Sequence, residues 1–292
     1  MTDVHTSAVA GDELLPWRRR GLRDAREFLS PAVRRAAAER GLDPRTLTGS
    51  GDAGRITRAD VIAADGRGSS GSEIVPFNNV RRRAAVALLA SKRTAPHALA
   101  VIAVDYSRIE RARSRSGFTA LPFVARAVVD ALHEFPVLNA TVDGGTLVMR
   151  RGVNLGIAVD LAYQGLVVPV VRGADGMRLR GLAASIRDVA TRARAKQLGP
   201  DDLAGGTFTI TNPGAAGTWI SFPVLNAPQV GILSTDGVTK RVITDDRGGL
   251  RIAPVGHLCL TFDHRALDGA YAGAFLGRLR EIVEQRDWAA EL

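Results

Sequence analysis

The stretch with the most chemical potential is Leu258-Cys259-Leu260-Thr261-Phe262-Asp263-His264-Arg265-Ala266-Leu267-Asp268-Gly269. An apolar, strand-like run breaks into charge, places a histidine, and four residues later places an aspartate before a glycine. A helix-like segment follows. A sheet holds the backbone of a histidine at the tip of a buried strand, and its ring still reaches a cleft. A neutral imidazole mounted that way can take a proton from a thiol or hydroxyl. His264 is therefore the candidate general base. Asp268 is either its orienter, as in a triad, or a structural carboxylate. Thr211 ends a second strand-like run, Phe208–Thr211, and Asn212-Pro213-Gly214 forces a turn just after it. Its hydroxyl can satisfy local backbone groups or donate to an oxyanion.

Other candidates are weaker. The single cysteine, Cys259, sits inside the apolar run, which predicts a buried, inert thiol and excludes an internal disulfide. No His, Cys, Asp and Glu cluster has metal-ligand spacing, so no metal is expected. The formal charge is +9, but the basic residues are nearly all arginines, interleaved with acids and not with aromatics. That pattern argues against nucleic acid as a partner. No apolar run has membrane-spanning length and no secretory leader pattern opens the chain, so a cytoplasmic location is expected.

The elements that must position these residues are legible in outline. Residues 1–27 are polar and irregular, with Arg18, Arg19 and Arg20 clustered, and read as a tail. Residues 28–64 read as a small all-α domain. Ser30 caps a helix opening with Pro31, Gly41 stops it, and a glycine loop leads to a second helix capped by Thr57 with Asp60. Residues 65–74 have the composition of a flexible linker, whose first eight residues span on the order of 15 Å. Residues 75–292 alternate strand-like and helix-like segments without a regular repeat. Helices are expected at Val80–Ala90, Pro122–Glu134, Leu182–Lys196 and Gly269–Glu284. Strands are expected at Ala98–Asp105, Leu147–Arg150, Asn154–Val159, Leu166–Val171, Thr207–Thr211, Val230–Ser234 and Leu258–Phe262. This mixture points to an α/β sandwich and not to a doubly wound sheet.

The wording of these segments is more specific than their pattern. "DHRALDGAYAGAFL" resembles the Asp-His-Arg-x-x-Asp-Gly signature of the acyltransferase component of 2-oxo acid dehydrogenase complexes. Chloramphenicol acetyltransferase shares the His-x-x-x-Asp-Gly core. "VRRRAAVALLASKRTAPH", "FPVLNA", "VNLGIAVD", "GLVVPVV", "FTITNPGAAGT" and "NAPQVGILSTDGV" follow the family in order. "SPAVRRAAAERGLDPRTLTGSGDAGRITRADVIAA" resembles the family's peripheral subunit-binding domain.

The resemblance implies a chloramphenicol acetyltransferase-like two-layer sandwich preceded by the small helical domain. It implies His264 as base, the Thr211 hydroxyl as oxyanion donor, and Asp268 as a supporting carboxylate paired with Arg81. Gly269 belongs to the same motif. His97 and Asn212 are expected along the substrate channel. Arg34, Arg35, Arg55 and Arg58 match positions that meet acidic partner surfaces. The family's sites form between subunits of a trimer, so at least a homotrimer is expected, with acyl-CoA as substrate.

The chain departs from the family in three places. "NPGAAGT" and "ILSTDG" differ from the usual residues near the acceptor pocket. The short N-terminal stretch, which has no lysine, offers no lipoyl domain, so the chain is expected not to carry its own lipoyl group. That gap favours a free-standing enzyme using acetyl-CoA to O-acetylate a small-molecule or secondary-metabolite intermediate of the tetronate or polyketide type. The alternatives are a dihydrolipoamide acyltransferase core served by a separate lipoyl carrier, and a non-catalytic assembly scaffold.

Overall fold

The structure, a computed structural model, describes residues 29–65, 75–245 and 247–292. The N-terminal tail with its Arg18–Arg20 cluster, and most of the linker, lie outside the described residues. The chain divides into two units, Met1–Pro76 and Phe77–Leu292.

In the first unit, α1 spans Pro31–Ala38 and α2 spans Arg58–Ala64. The Ser30 hydroxyl accepts from the Val33 amide at 3.3 Å, and Pro31 occupies a position where the missing N–H costs nothing. Val33, Ala36 and Ala37 of α1 bury against Ile56 and Val61, with Leu29, Leu42 and Leu47 around them. So small a core needs polar fastening. Asp60 supplies it by accepting from the amides of Thr57 (2.7 Å) and Ser50 (3.0 Å), which ties the glycine loop to α2. These bonds, with the Thr57 amide foremost, hold the Asp60 carboxyl below its usual range. Gly49 must be a glycine, because a Cβ there would meet the Gly54 oxygen at 2.3 Å.

In the second unit, the helices are α3 (Asn79–Thr94), α4 (Ser107–Ser116), α5 (Leu121–Glu134), α6 (Leu179–Arg194) and α7 (Gly269–Gln285). The strands are β1 (His97–Asp105), β2 (Ala140–Asp143), β3 (Thr146–Met149), β4 (Leu155–Ile157), β5 (Val159–Asp160), β6 (Leu166–Val167), β7 (Val170–Val171), β8 (Phe208–Thr211), β9 (Gly231–Thr235), β10 (Thr239–Thr244) and β11 (Leu250–Asp263). The main sheet runs β1-β11-β9-β8-β4-β7, with β10 also pairing β11. β2 with β3, and β5 with β6, make two separate ribbons. Most neighbours are antiparallel, but β8 is parallel to both β4 and β9.

One face of the sheet carries the core. Ala98, Ala100, Ile102 and Val104 of β1 alternate onto it, as a period of two requires. α5 is buried on nearly every side, and α7 packs between it and β1. Phe275 of α7 stacks edge-on against Phe135 at 5.8 Å and lies 6.2 Å from Phe208. Each fully buried aromatic of this kind contributes roughly 2–3 kcal/mol by area. The mixed α/β sandwich expected from the sequence is the fold observed.

Several elements differ from the sequence reading: β2 was not expected, and Asn154–Val159 divides into β4 and β5 in different sheets. α4 was not foreseen, because Ile109 and Ala112 alone face the core from a run of arginines and serines. β10 was also missed; it is an exposed strand with little apolar alternation. Leu166–Val171 is two short strands in different sheets, split at Val168-Pro169, since Pro169 has no N–H to donate to a ladder. No described helix is long and apolar enough to cross a membrane.

Candidate active site

His264 leaves the tip of β11, where its main chain is fixed from two sides. Its amide donates to the Pro96 carbonyl at 2.9 Å, and the preceding Asp263 amide donates to the Val230 carbonyl at 2.9 Å. The Asp263 carboxylate is buried and takes the Arg265 guanidinium through both oxygens, with Nη2 to Oδ2 at 2.5 Å. It also accepts the Arg265 amide at 3.0 Å. This closed loop from Asp263 to Arg265 sets the turn that carries His264. The His264 ring is 49% exposed, so it remains reachable by a substrate.

Asp268 stands 3.9 Å from Nδ1 of His264 and is 88% exposed. That separation is too long for a hydrogen bond. Asp268 precedes α7 at the N-cap without a side-chain capping bond. The expected Asp268–Arg81 pair does not form within one chain. Arg81 instead donates to the Tyr163 carbonyl at 2.7 Å, and no arginine lies within ion-pair distance of Asp268 among the described residues. Both carry charge to the surface, and sequence order could not show that they face different neighbours. Gly269 opens α7 in open space, where a Cβ would touch nothing within 4 Å.

Thr211 is far from His264 in the same chain. The register pairs Thr211 with Ser234 and Ser234 with Cys259, whereas His264 lies five residues beyond Cys259. Five residues along a strand and two strands across amount to about 20 Å. His264 and Thr211 therefore sit at opposite ends of the sheet and cannot touch one acyl group together in a single copy. Asn212 is exposed beyond Thr211, and its Oδ1 accepts from the Gly214 amide at 3.1 Å. It borders a cavity of about 300 Å³ lined also by Phe118, Ile186 and Arg194.

His97 is neither free nor bland. Its Nδ1 lies 2.8 Å from the Ala95 carbonyl, and its Nε2 accepts the Leu225 amide at 3.0 Å. Arg34, Arg35, Arg55 and Arg58 are exposed on the small unit, and none of them pairs with a carboxylate among the described residues.

A residue that the sequence reading did not assign is Asp236, within the divergent "STDG". Its buried carboxylate accepts from Ser221 (2.5 Å), Thr218 (2.8 Å), Ser234 (3.2 Å) and the Cys259 thiol (3.2 Å). Burial pushes its pKa up, but these donors outweigh burial and hold it below the usual range. Burial, foremost, pushes the Cys259 thiol up to about 12, as suits an inert sulfur. Gly214 lets the turn after Thr211 close on this cluster, since a Cβ there would meet the Asp236 backbone at 2.7 Å. The only sequence signal was an aspartate at the end of an apolar strand.

Asp236→Ala would leave buried donors without an acceptor. The expected loss is roughly 3 kcal/mol of stability, read as a lower denaturation midpoint. Because the folded pKa is depressed, the stabilisation is present above the unfolded carboxylate pKa and is lost as pH falls towards the folded one.

No hydroxyl or thiol hydrogen-bonds the His264 ring among the described residues, and no His, Cys, Asp and Glu group there could hold a metal ion. A half-exposed imidazole on a strand tip, with no hydroxyl or thiol hydrogen-bonded to it among the described residues, suits a class of enzyme that moves a group directly between two substrates. Comparison with known proteins narrows this class. Residues 69–289 match the family model "2-oxoacid dehydrogenases acyltransferase (catalytic domain)", and residues 27–62 match the "e3 binding domain". The chain belongs to the 2-oxoacid dehydrogenase acyltransferase family and is an acyltransferase.

It is 33% identical to the lipoamide acyltransferase component of the branched-chain alpha-keto acid dehydrogenase complex of Bacillus subtilis, over 88% of this chain and 71% of that one. It is 35% identical to the dihydrolipoyllysine-residue succinyltransferase component of the 2-oxoglutarate dehydrogenase complex of Rickettsia bellii, over 89% and 70%. Among solved structures, the cubic core of a pyruvate dehydrogenase multienzyme complex aligns with a TM-score of 0.71 and 31% identity, covering 74% of this chain and 93% of that one.

These findings correct one expectation. The free-standing O-acetylation of a secondary metabolite is overturned, because the relatives matched over about nine-tenths of this chain are components of 2-oxo acid dehydrogenase complexes. The continuous match through the catalytic unit outweighs the short, lysine-free N-terminal stretch on which that expectation rested.

Proposed function

We propose that this chain is the dihydrolipoamide acyltransferase core of a 2-oxo acid dehydrogenase complex, exchanging an acyl group between a dihydrolipoyl thiol and the thiol of coenzyme A. The observation that carries the reading is the placement of His264. It is a reachable imidazole on a strand tip held by main-chain bonds, with no hydroxyl or thiol hydrogen-bonded to it among the described residues.

The incoming thiol gives its proton to the His264 imidazole while its sulfur attacks the acyl carbonyl. A thiol unperturbed at about 8.5 is mostly protonated at neutral pH and needs this help. A C–S bond forms, and the carbonyl oxygen takes up negative charge. When the oxyanion collapses, the old C–S bond breaks and the imidazolium returns its proton to the leaving thiolate. The Thr211 hydroxyl donates to the oxyanion. Asp268 takes no proton in this exchange.

Because Thr211 and His264 of one copy are about 20 Å apart by sheet register, the Thr211 that serves a given His264 belongs to a neighbouring copy. A closed ring of three such heterologous contacts, a homotrimer, gives every site both parts. The acyl carrier is a lipoyl group brought to this site, and the donor is not restricted to acetyl-CoA. The exposed arginines Arg34, Arg35, Arg55 and Arg58 on the small unit offer a basic face to an acidic partner subunit.

The test is direct. Purified protein is given a series of acyl-CoA thioesters with free dihydrolipoamide, and CoA release is followed. Rapid release requiring dihydrolipoamide is expected. Release that is indifferent to dihydrolipoamide would sink the reading.

A further inference from the structure

The segment between Thr211 and Val230 does more than join two strands. β8 and β9 run in the same direction, so the chain leaving Thr211 must return along the sheet before β9 begins. This return strap is pinned at two places by different chemistry. Near Thr211, Thr218 and Ser221 donate to Asp236, and the Gly237 amide donates to the Thr218 carbonyl at 2.7 Å. At the far end, Leu225 is gripped through both main-chain groups. Its carbonyl accepts from the Ser91 hydroxyl at 2.8 Å, and its amide donates to His97 Nε2 at 3.0 Å. The Leu225 side chain is buried with Ala95 and Ile232.

The two short contacts of His97 fix its proton; the Ser91 hydroxyl, 3.5 Å from Nε2, already gives its hydrogen to the Leu225 carbonyl. The Ala95 carbonyl can only accept, so Nδ1 carries the hydrogen. The Leu225 amide can only donate, so Nε2 is bare. This imidazole is held as a neutral acceptor, and its lone pair is already in use. It also stands beside the base. His97 pairs with Asp263 across β1 and β11, and the carbonyl of the adjacent Pro96 receives the His264 amide. Within the first pin and just beyond it the strap exposes Trp219, Ile220 and Phe222, by 58%, 53% and 50%. They are an apolar row in sequence on a strap whose two ends are keyed to different parts of the sheet, with the Arg241 guanidinium 4.7 Å from the Trp219 ring and the Lys92 ammonium 5.0 Å from the Phe222 ring.

We propose that His97 is a positioning residue for acyl transfer: by accepting the Leu225 amide it keeps the strap, and its row of Trp219, Ile220 and Phe222, in register with the His264 turn, so that the row forms an apolar wall for the substrate's hydrocarbon portion. This rests on the acyltransferase reading above. His264 keeps its own supports, the Pro96 carbonyl and the Asp263–Arg265 clamp, when the His97 ring is lost. The loss should therefore act on substrate binding and spare the chemical step.

Two variants separate the possibilities. His97→Leu has no acceptor, whereas the Oε1 of His97→Gln can reach the place of Nε2. In the assembled protein, His97→Leu is expected to raise the KM for dihydrolipoamide about tenfold, the cost of one buried donor left unpaired, with kcat within about twofold of the parent. Amide exchange in the 218–228 segment should quicken in parallel. His97→Gln should restore both. An unchanged KM with unchanged exchange overturns the proposal, and so does a collapse of kcat at constant KM. Failure of His97→Gln to restore either readout counts against it as well. If His97→Leu does not assemble, Ser91→Ala, which frees the Leu225 carbonyl, must shift exchange and KM in the same direction, and no shift overturns the proposal. Absence of transfer in the parent protein would instead strike the acyltransferase reading, while the exchange contrast would still judge the His97 contact.

Discussion

Replacing His264 with alanine is expected to lower kcat for acyl exchange on the order of 10³-fold, the usual worth of a well-placed general base. The assembly and the fold should persist. Among the described residues the His264 ring makes no hydrogen bond, and its turn is held by main-chain bonds and by the Asp263–Arg265 clamp. The loss should sit in kcat, with the KM for either thiol little changed, because a base acts on the proton in flight and not on the resting complex. Raising the pH should recover part of the deficit, since a thiol acceptor then ionises without help. The comparison is steady-state kinetics of parent and His264→Ala across pH, with mass in solution as the control for assembly.

Thr211→Ala should cost on the order of 10²-fold in kcat, about 3 kcal/mol of barrier, if its hydroxyl meets the oxyanion. Thr211→Ser keeps the hydroxyl and should retain most of the rate. The side chain lies at the end of β8, and its hydroxyl makes no hydrogen bond among the described residues, unlike Thr209, which donates to Gln229 at 2.6 Å inside the sheet. Its removal should therefore leave stability nearly intact. A Thr211→Ala protein that unfolds early but turns over normally once folded would mark the residue as structural.

The sequence showed much of this, and its failures have physical causes. The strand–turn–helix around His264 was readable because an apolar run, a charged break and a small residue before a helix each leave a local trace. The caps at Ser30 and Thr57 were readable for the same reason, since a capping bond spans only three residues. The separation of His264 from Thr211 was not readable. It depends on which strands neighbour each other and in what register, and those are long-range facts with no local mark. Asp236 was passed over because an aspartate after an apolar strand usually signals a solvated turn. Four donors from three separate segments make it a buried hub instead. The Arg81–Asp268 pair failed for a related reason: a motif carries residue types, but not the partner that a guanidinium selects within a single chain.

The central claim, that each site joins His264 of one copy to Thr211 of another, is open to one decisive measurement. His264→Ala and Thr211→Ala proteins, each nearly inactive, are unfolded together, reassembled as mixed rings, and assayed for acyl exchange. If the two groups come from different copies, about a quarter of the sites in an even random mixture regain both of them, and activity should rise well above that of either parent. Activity that stays at the level of the two separate variants, in rings shown by mass to be mixed, would contradict the account.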